Sequence, residues 1–490
     1  MTRAWSMQDL EHWDERIREK VQEFGLTCCS QEFEVCDHEQ MLGYMAYHGM
    51  PAHYPHWSYG KSYEKLKTLY DYGVSGLPYE MVINANPSLA YLMRGNSICL
   101  QVLTIAHVYG HNDFFHNNFM FRATRPELTV SNFKLRADRI RSYVENPAIG
   151  LSAVEQILDA AHALSLQCRR HAAIRKLSHS DQQARAEEAA QPRVDPFHKI
   201  HKTQTYTPPD LQRLPLEPEE DLLLFIAEYN PYLTEWQKDL LHIVHEEAQY
   251  FIPQIETKIM NEGWASFWHH RIMNSLDLPE DMHFEFLVHH NQVIRPHRGE
   301  INPYHLGFSI WHDILKNYDN TSAADIKNPR EPKKSGMQKI FEVRETDRDS
   351  SFLRRFLTEE LMRELDMFEY QRKENEHVVT AVADEEHWES VKNSLLMNVG
   401  MASSPVIRIL DADFSHNREM LLEHEHDGRD LHLEYVEKTL AYVHRLWGRK
   451  VLLRTSIGGR PRLLTFDDAG FGQDDSRHTT EQTPQVTNRP

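Results

Sequence analysis

His107-Val108-Tyr109-Gly110-His111 and, much further along, Asn261-Glu262-Gly263-Trp264-Ala265-Ser266-Phe267-Trp268-His269 are the stretches from which the rest of this chain is read. Two His at i and i+4 lie one above the other on a helix face, spaced so that both rings reach one metal ion. A Glu from a second helix, Glu262, would be the third ligand of a His2Glu site. An HxxxH pair alone is weak in a chain with 31 His, so the second stretch carries the weight. The plainer alternative is that His107 and His111 are hydrogen-bonded in a helical core and that Glu262 caps a helix or pairs with an Arg. Trp264, Phe267 and Trp268 read as core packing.

Working outward, periodicity predicts an amphipathic helix over 8–24, with Leu10, Trp13, Ile17, Val21 and Phe24 on one face, and another over Glu39 to His48. The aromatic stretch from Pro51 to Gly60 reads as an ordered loop. Two strands, 80–84 and 89–93, form a hairpin around Asn86-Pro87-Ser88. A long apolar helix from about Ser97 to His116 carries the His pair, and helices follow over 132–145 and 150–170. Residues 178–215 are polar, with few large apolar groups, and read as a linker or mobile excursion. Helices resume at 217–229, 233–251 and 254–276, with a break at Pro253. Residues 320–350 read as a loop and 351–372 as an amphipathic helix. Asn302-Pro303-Tyr304-His305-Leu306-Gly307-Phe308 is either a structural turn or part of the site's lining. From about 376 the pattern becomes mixed. Strands at 378–382 and 405–410, a helix at 431–446 and a hairpin around Gly458-Gly459 make a C-terminal α+β domain over 376–472. The polar tail 473–490 reads as disordered. The domain expectation is therefore 1–177, a linker 178–215, a helical region 216–375, and 376–472.

The 490 residues are 40% hydrophobic and 26% charged, enough for a sizeable core, and the net charge is −19. That acidity argues against a nucleic-acid partner. There is no membrane-length apolar run and no signal peptide, so the expected location is cytoplasmic. The five Cys (28, 29, 36, 99, 168) contain no CxxC pair and read as reduced thiols, with a metal shared by Cys28, Cys29 and Cys36 as the alternative.

Asn261-Glu262-Gly263-Trp264-Ala265 resembles the NEGFA-type segment of gluzincin zinc aminopeptidases, whose Glu is the third zinc ligand. In those enzymes the first helix carries HExxH; here the matching stretch is HVYGH, with Val108 in place of the catalytic Glu. The resemblance implies Zn2+ on His107, His111 and Glu262, and a mainly α fold with a small β-hairpin and a gluzincin-like helical core. The base must come from elsewhere. Glu246 or Glu247, one helix before Glu262, would activate a bound water. His269, two turns beyond Glu262 on the same face, would be a fourth ligand or hold a substrate oxygen.

Several blocks together resemble the stage V sporulation protein R (SpoVR) family. They are Met50-Pro51 with His56-Trp57-Ser58-Tyr59-Gly60-Lys61, Val108 to Phe115, Tyr250 to Gln254, Thr257 to His269, and Asn302-Pro303-Tyr304. What the resemblance implies is a link to spore cortex formation, or to stationary-phase and stress physiology in bacteria that do not sporulate. It also implies partners: a serine protein kinase of the PrkA type and a von Willebrand A-like protein. Two functions stay open, a zinc-dependent hydrolase of amide or peptide bonds and a non-catalytic regulatory scaffold acting with that kinase.

Overall fold

Seventeen buried residues in a row, Cys99 to Phe115, make the helix Ile98–Asn117 the axis of the first part of the molecule. Ser97 caps it, its hydroxyl accepting from the Leu100 amide at 3.1 Å. An apolar all-round helix has no solvent face to spare and must be surrounded. It is packed by the helices Met7–Glu23, Lys258–Ser275, Glu280–Val293 and Gly336–Thr346. The computed structural model describes residues 5–72, 80–170, 176–191, 209–211, 213–297, 300–320, 334–367, 370–373, 376–379 and 385–473. It is mostly helical, with a separate strand-rich C-terminal domain.

Two compact units are formed, and neither is continuous in sequence. The first joins residues 1–142 to 249–403, and the second joins 143–248 to 404–490. The sequence reading had placed its divisions in chain order.

In the first unit, small residues set how closely the helices approach. A Cβ added at Gly110 would lie 2.6 Å from the Ala265 Cα, so the His107/His111 helix meets Lys258–Ser275 backbone to backbone. A Cβ on Gly263 would lie 2.3 Å from the carbonyl carbon of Gly307, which brings the helix Pro303–Asn320 equally close on the other side. Buried Asp113 then bolts the assembly. It accepts two bonds of 2.8 Å from Arg344, one of 2.9 Å from the Trp264 indole and one of 2.8 Å from the Thr27 amide. Burial pushes its pKa up, and Arg344 and these donors oppose that. The Asp349 carboxylate caps the first turn of Lys258–Ser275, accepting from the Ile259 and Met260 amides at 2.9 Å each.

The expected hairpin is present as Glu80–Ile83 antiparallel to Ser88–Met93. A strand the sequence reading missed, Gln31–Cys36, pairs parallel to Ser88–Met93 and completes a three-stranded sheet. The break expected at Pro253 falls later. The helix Glu235–Glu256 carries Pro253 inside it, and the chain leaves helical geometry at Thr257. The Thr257 hydroxyl donates to the Pro253 carbonyl at 2.6 Å, and Asp349 supplies the next helix with its first acceptors. The loop expected at 320–350 contains the helix Gly336–Thr346, started by a capping box of Ser335 and Gln338. The single helix expected at 351–372 is two, Asp349–Phe356 and Glu359–Glu364, the second capped by Thr358.

In the second unit, five strands run in the order 470–473, 460–467, 451–457, 419–424, 407–414. Only 419–424 and 451–457 are parallel, and the helix Leu433–Trp447 lies between them in sequence, as a parallel pair requires. The supposed linker holds a described helix, His179–Ala190, whose Ala, Gln, Glu and Arg content favours helix behind the Ser178 cap. Residues 474–490 lie outside the described residues.

The backbone contact at Gly263 leaves no room for a methyl group. The Gly263→Ala variant should lose about 3 kcal/mol or more of stability in urea unfolding, the upper end of overpacking costs. A loss under about 1 kcal/mol would show that the two helices part freely.

Candidate metal centre

His107 and His111 point from one face of their helix toward Glu262 on the helix Lys258–Ser275, as the spacing predicted. The His111 Nε2 lies 3.4 Å from Glu262 Oε2, and the His107 Nε2 lies 3.8 Å from the same oxygen. A fourth group joins them from the sheet. Glu80, the first residue of its strand, puts Oε1 3.9 Å from His107 Nε2. The ligand atoms of Glu80, His107 and His111 all lie within 4.8 Å of one another. Donors about 2.1 Å from a shared tetrahedral ion stand roughly 3.4 Å apart, so the cradle has the scale of a metal site. Two buried atoms at its centre, His107 Nε2 and Glu262 Oε2, make no hydrogen bond of good geometry among the described residues.

The outward faces of both rings are tied. The His111 Nδ1 is 2.9 Å from Asn261 Oδ1, an oxygen that can only accept. That ring therefore carries a proton on Nδ1. The His107 Nδ1 is 2.8 Å from His269 Nδ1, and the His269 Nε2 is 2.8 Å from His290 Nδ1. Tyr304 completes the wall, its ring stacked 6.1 Å from that of His107. Its backbone amide donates to Asn302 Oδ1, and Asn302 Nδ2 donates to the carbonyls of Val293 and Arg295. The Asn302-Pro303-Tyr304 turn is thus both structural and part of the site's lining.

Electrostatics follow from burial and pairing. Burial works against the Glu262 charge, yet its interaction with His107 and His111 holds its carboxyl well below the ordinary range. Burial disfavours a charged His111, but Glu262 outweighs this and raises its pKa. Glu80 is pushed up by burial, opposed by the two His and helped by the nearby Glu262 charge. The Glu262 charge, then burial, then Glu80 push Tyr304 far up, so its hydroxyl stays a donor. Burial and the surrounding imidazoles keep His269 neutral.

Four of the six residues singled out from sequence come together here: His107, His111, Glu262 and His269. His269 stands behind His107 with both of its nitrogens engaged by other imidazoles. Glu246 and Glu247, on the part of the helix Glu235–Glu256 that precedes Gln249, fall in the second unit, whereas this cluster is built from residues of the first. Sequence reasoning missed Glu80, Asn261 and His290. Asn261 was visible as the neighbour of a predicted ligand, and Glu80 as the first residue of a predicted strand. Nothing local marked His290. The five cysteines are free thiols; Cys28 donates to the Tyr109 carbonyl at 3.5 Å, and Cys29 lies 3.2 Å from His116.

The family model described as "SpoVR like protein" matches residues 4–404, and that described as "SpoVR-like C-terminal domain" matches residues 405–457. The chain belongs to the SpoVR family. It is 32% identical over 470 residues to "Uncharacterized protein YcgB" of Escherichia coli (strain K12), covering 92% of each chain. No solved structure matches it. No helix among the described residues is long and apolar enough to cross a membrane.

A carboxylate held low gives stability that is present above its unfolded value, 4.5, and lost as the pH falls through the lower folded value. The metal-free Glu262→Gln variant should therefore be less stable than the native chain at pH 7, by about 2 kcal/mol. The gap should close as the pH drops below 4.5. Urea unfolding across that range checks the sign, and a gap that widens in acid contradicts it.

Proposed function

We propose that this SpoVR-family chain is a metal-dependent hydrolase of amide or peptide bonds, with a gluzincin-like centre in a different carboxylate arrangement. The observation that carries this is the convergence of His107 Nε2, His111 Nε2, Glu262 Oε2 and Glu80 Oε1, with both outward Nδ1 atoms tied. His107, His111 and Glu262 would hold Zn2+. A divalent ion in that cradle supplies Lewis-acid activation of water and of a carbonyl. Glu80 takes the part of the carboxylate absent at Val108. Its raised proton affinity suits a base that removes a proton from water and returns it to the leaving amine. Tyr304, kept protonated, offers a donor beside Glu262.

The second reading is a regulatory scaffold acting with a serine protein kinase of the PrkA type and a von Willebrand A-like protein. The buried, inert Val108 at the usual base position favours it. On that reading Glu80 has no catalytic duty.

Metal analysis of the purified full-length protein, with Glu262→Ala and Glu80→Gln beside it, separates the two. The native chain should hold zinc, and Glu262→Ala should lose affinity by more than the roughly 10–100-fold that outer-sphere groups are worth. Glu80→Gln should keep the metal yet lose about 100- to 10,000-fold in the hydrolysis of an amide-substrate panel. A folded native chain without metal sinks the hydrolase reading. A Glu80→Gln chain as active as the native one removes Glu80 from the mechanism.

A further inference from the structure

We infer that His269 and His290 are positioning residues that decide which nitrogen of His107 carries the proton, and so whether the centre accepts a cation; this rests on the metal reading above. Three imidazoles form one unbranched file. The His107 Nδ1 meets His269 Nδ1 at 2.8 Å, and the His269 Nε2 meets His290 Nδ1 at 2.8 Å. Each contact joins two ring nitrogens, so one must donate and the other accept.

A file of neutral rings has only two self-consistent orders. In the first, His107 donates from Nδ1 to His269, His269 donates from Nε2 to His290, and His107 Nε2 is bare. In the second, His290 donates from Nδ1 to His269 Nε2, His269 donates from Nδ1 to His107, and His107 Nε2 carries the proton. Only the first leaves a lone pair facing Glu262 and Glu80, since a metal ligand must be the unprotonated nitrogen. The requirement therefore reaches back two residues: His290 must present an acceptor at Nδ1. The site is dry enough for this to matter, because His107, His269 and His290 are all buried, His269 with no exposure at all. His111 needs no such file, because Asn261 Oδ1 fixes its tautomer directly.

The consequence is a polarity rule at position 290. A side chain that offers an acceptor there keeps the first order; one that offers none leaves a buried N–H on His269 without a partner and favours the second. The rule separates positioning from packing, because ring shape and acceptor capacity can be varied independently.

The test titrates metal-free, purified full-length protein with Co2+ alone, reading affinity and the visible absorption band, for the native chain, His290→Asn and His290→Phe. Melting of each chain without metal confirms folding. Asn, which can turn an oxygen toward His269, should bind with close to native affinity and the native band. Phe, which keeps a ring and removes both nitrogens, should bind about 10–100-fold more weakly. Should the Phe chain not fold, His290→Leu takes its place. Equal binding by all the chains, or equal losses in Asn and in the apolar variant, overturns the polarity rule while leaving the metal centre in place. A folded native chain that binds no Co2+ overturns the rule together with the metal reading.

Discussion

Backbone contact between helices is the constraint on which this molecule depends. Packed helices ordinarily stand 8–10 Å apart, with side chains between them. At Gly110 against Ala265, and at Gly263 against Gly307, there is no side chain to spare. The consequence is chemical as well as mechanical. Imidazole and carboxylate side chains are short, and ligands on two helices reach a common point only when the helices themselves are close. Gly110 lies between His107 and His111 on one helix, and Gly263 follows Glu262 directly on the other. The residues that permit contact are interleaved with those that use it.

Such closeness puts polar groups into a dry core, where each must find a partner or cost free energy. The helix Ile98–Asn117 meets this demand in sequence order. Gln101 donates to the Met93 carbonyl, His107 is met by His269, His111 by Asn261, Asn112 by Cys29, and Asp113 by Arg344, Trp264 and Thr27. Some buried polar atoms of this helix and its neighbour have no partner among the described residues: Gln101 Oε1, Thr104 Oγ1, Ser266 Oγ and Trp268 Nε1, as well as the pair at the cluster. His107 Nε2 and Glu262 Oε2 are bare and face each other at the end of a well-partnered network.

Much of this was legible in the sequence because it is local. An i,i+4 pair shares a helix face wherever the helix goes, so His107 and His111 were bound to point together. The helices at 7–23, 433–447 and around the His pair, and the hairpin at 80–93, announced themselves through period and turn residues. What was illegible depends on tertiary partners. The helix beginning at Gly336 followed a polar run and was read as loop, although its capping box was present in Ser335 and Gln338. Pro253 was read as a break, but the helix runs through it to Glu256; the Thr257 hydroxyl satisfies the Pro253 carbonyl at the helix end, and Asp349, distant in sequence, settles where the next helix starts. The strand at 31–36 is short and its parallel partner lies far along the chain. The interleaving of 143–248 with 404–490 leaves no mark on either segment.

The same distinction explains why Glu80 was not legible. A base on the helix would stand one residue after His107, and motif reading looks there and finds Val108. A carboxylate does reach the cluster from a strand, Glu80, and its placement depends on the register of Glu80–Ile83 against Ser88–Met93 and on how that sheet meets the helix. Shifting a strand by one residue turns its side chains to the opposite face, so the position of Glu80 is as strictly determined as a helix position, though by pairing across the sheet. A group delivered in this way comes with a different environment. Glu80 sits half-buried at a strand start near two imidazoles and another carboxylate, and desolvation raises its proton affinity. The cluster therefore has His107, His111 and Glu262 on helices, where spacing is rigid, and Glu80 on the sheet, where burial raises its proton affinity. The pairing across the sheet, with Glu80 opposite Leu92, is what holds Glu80 beside the helix at 98–117.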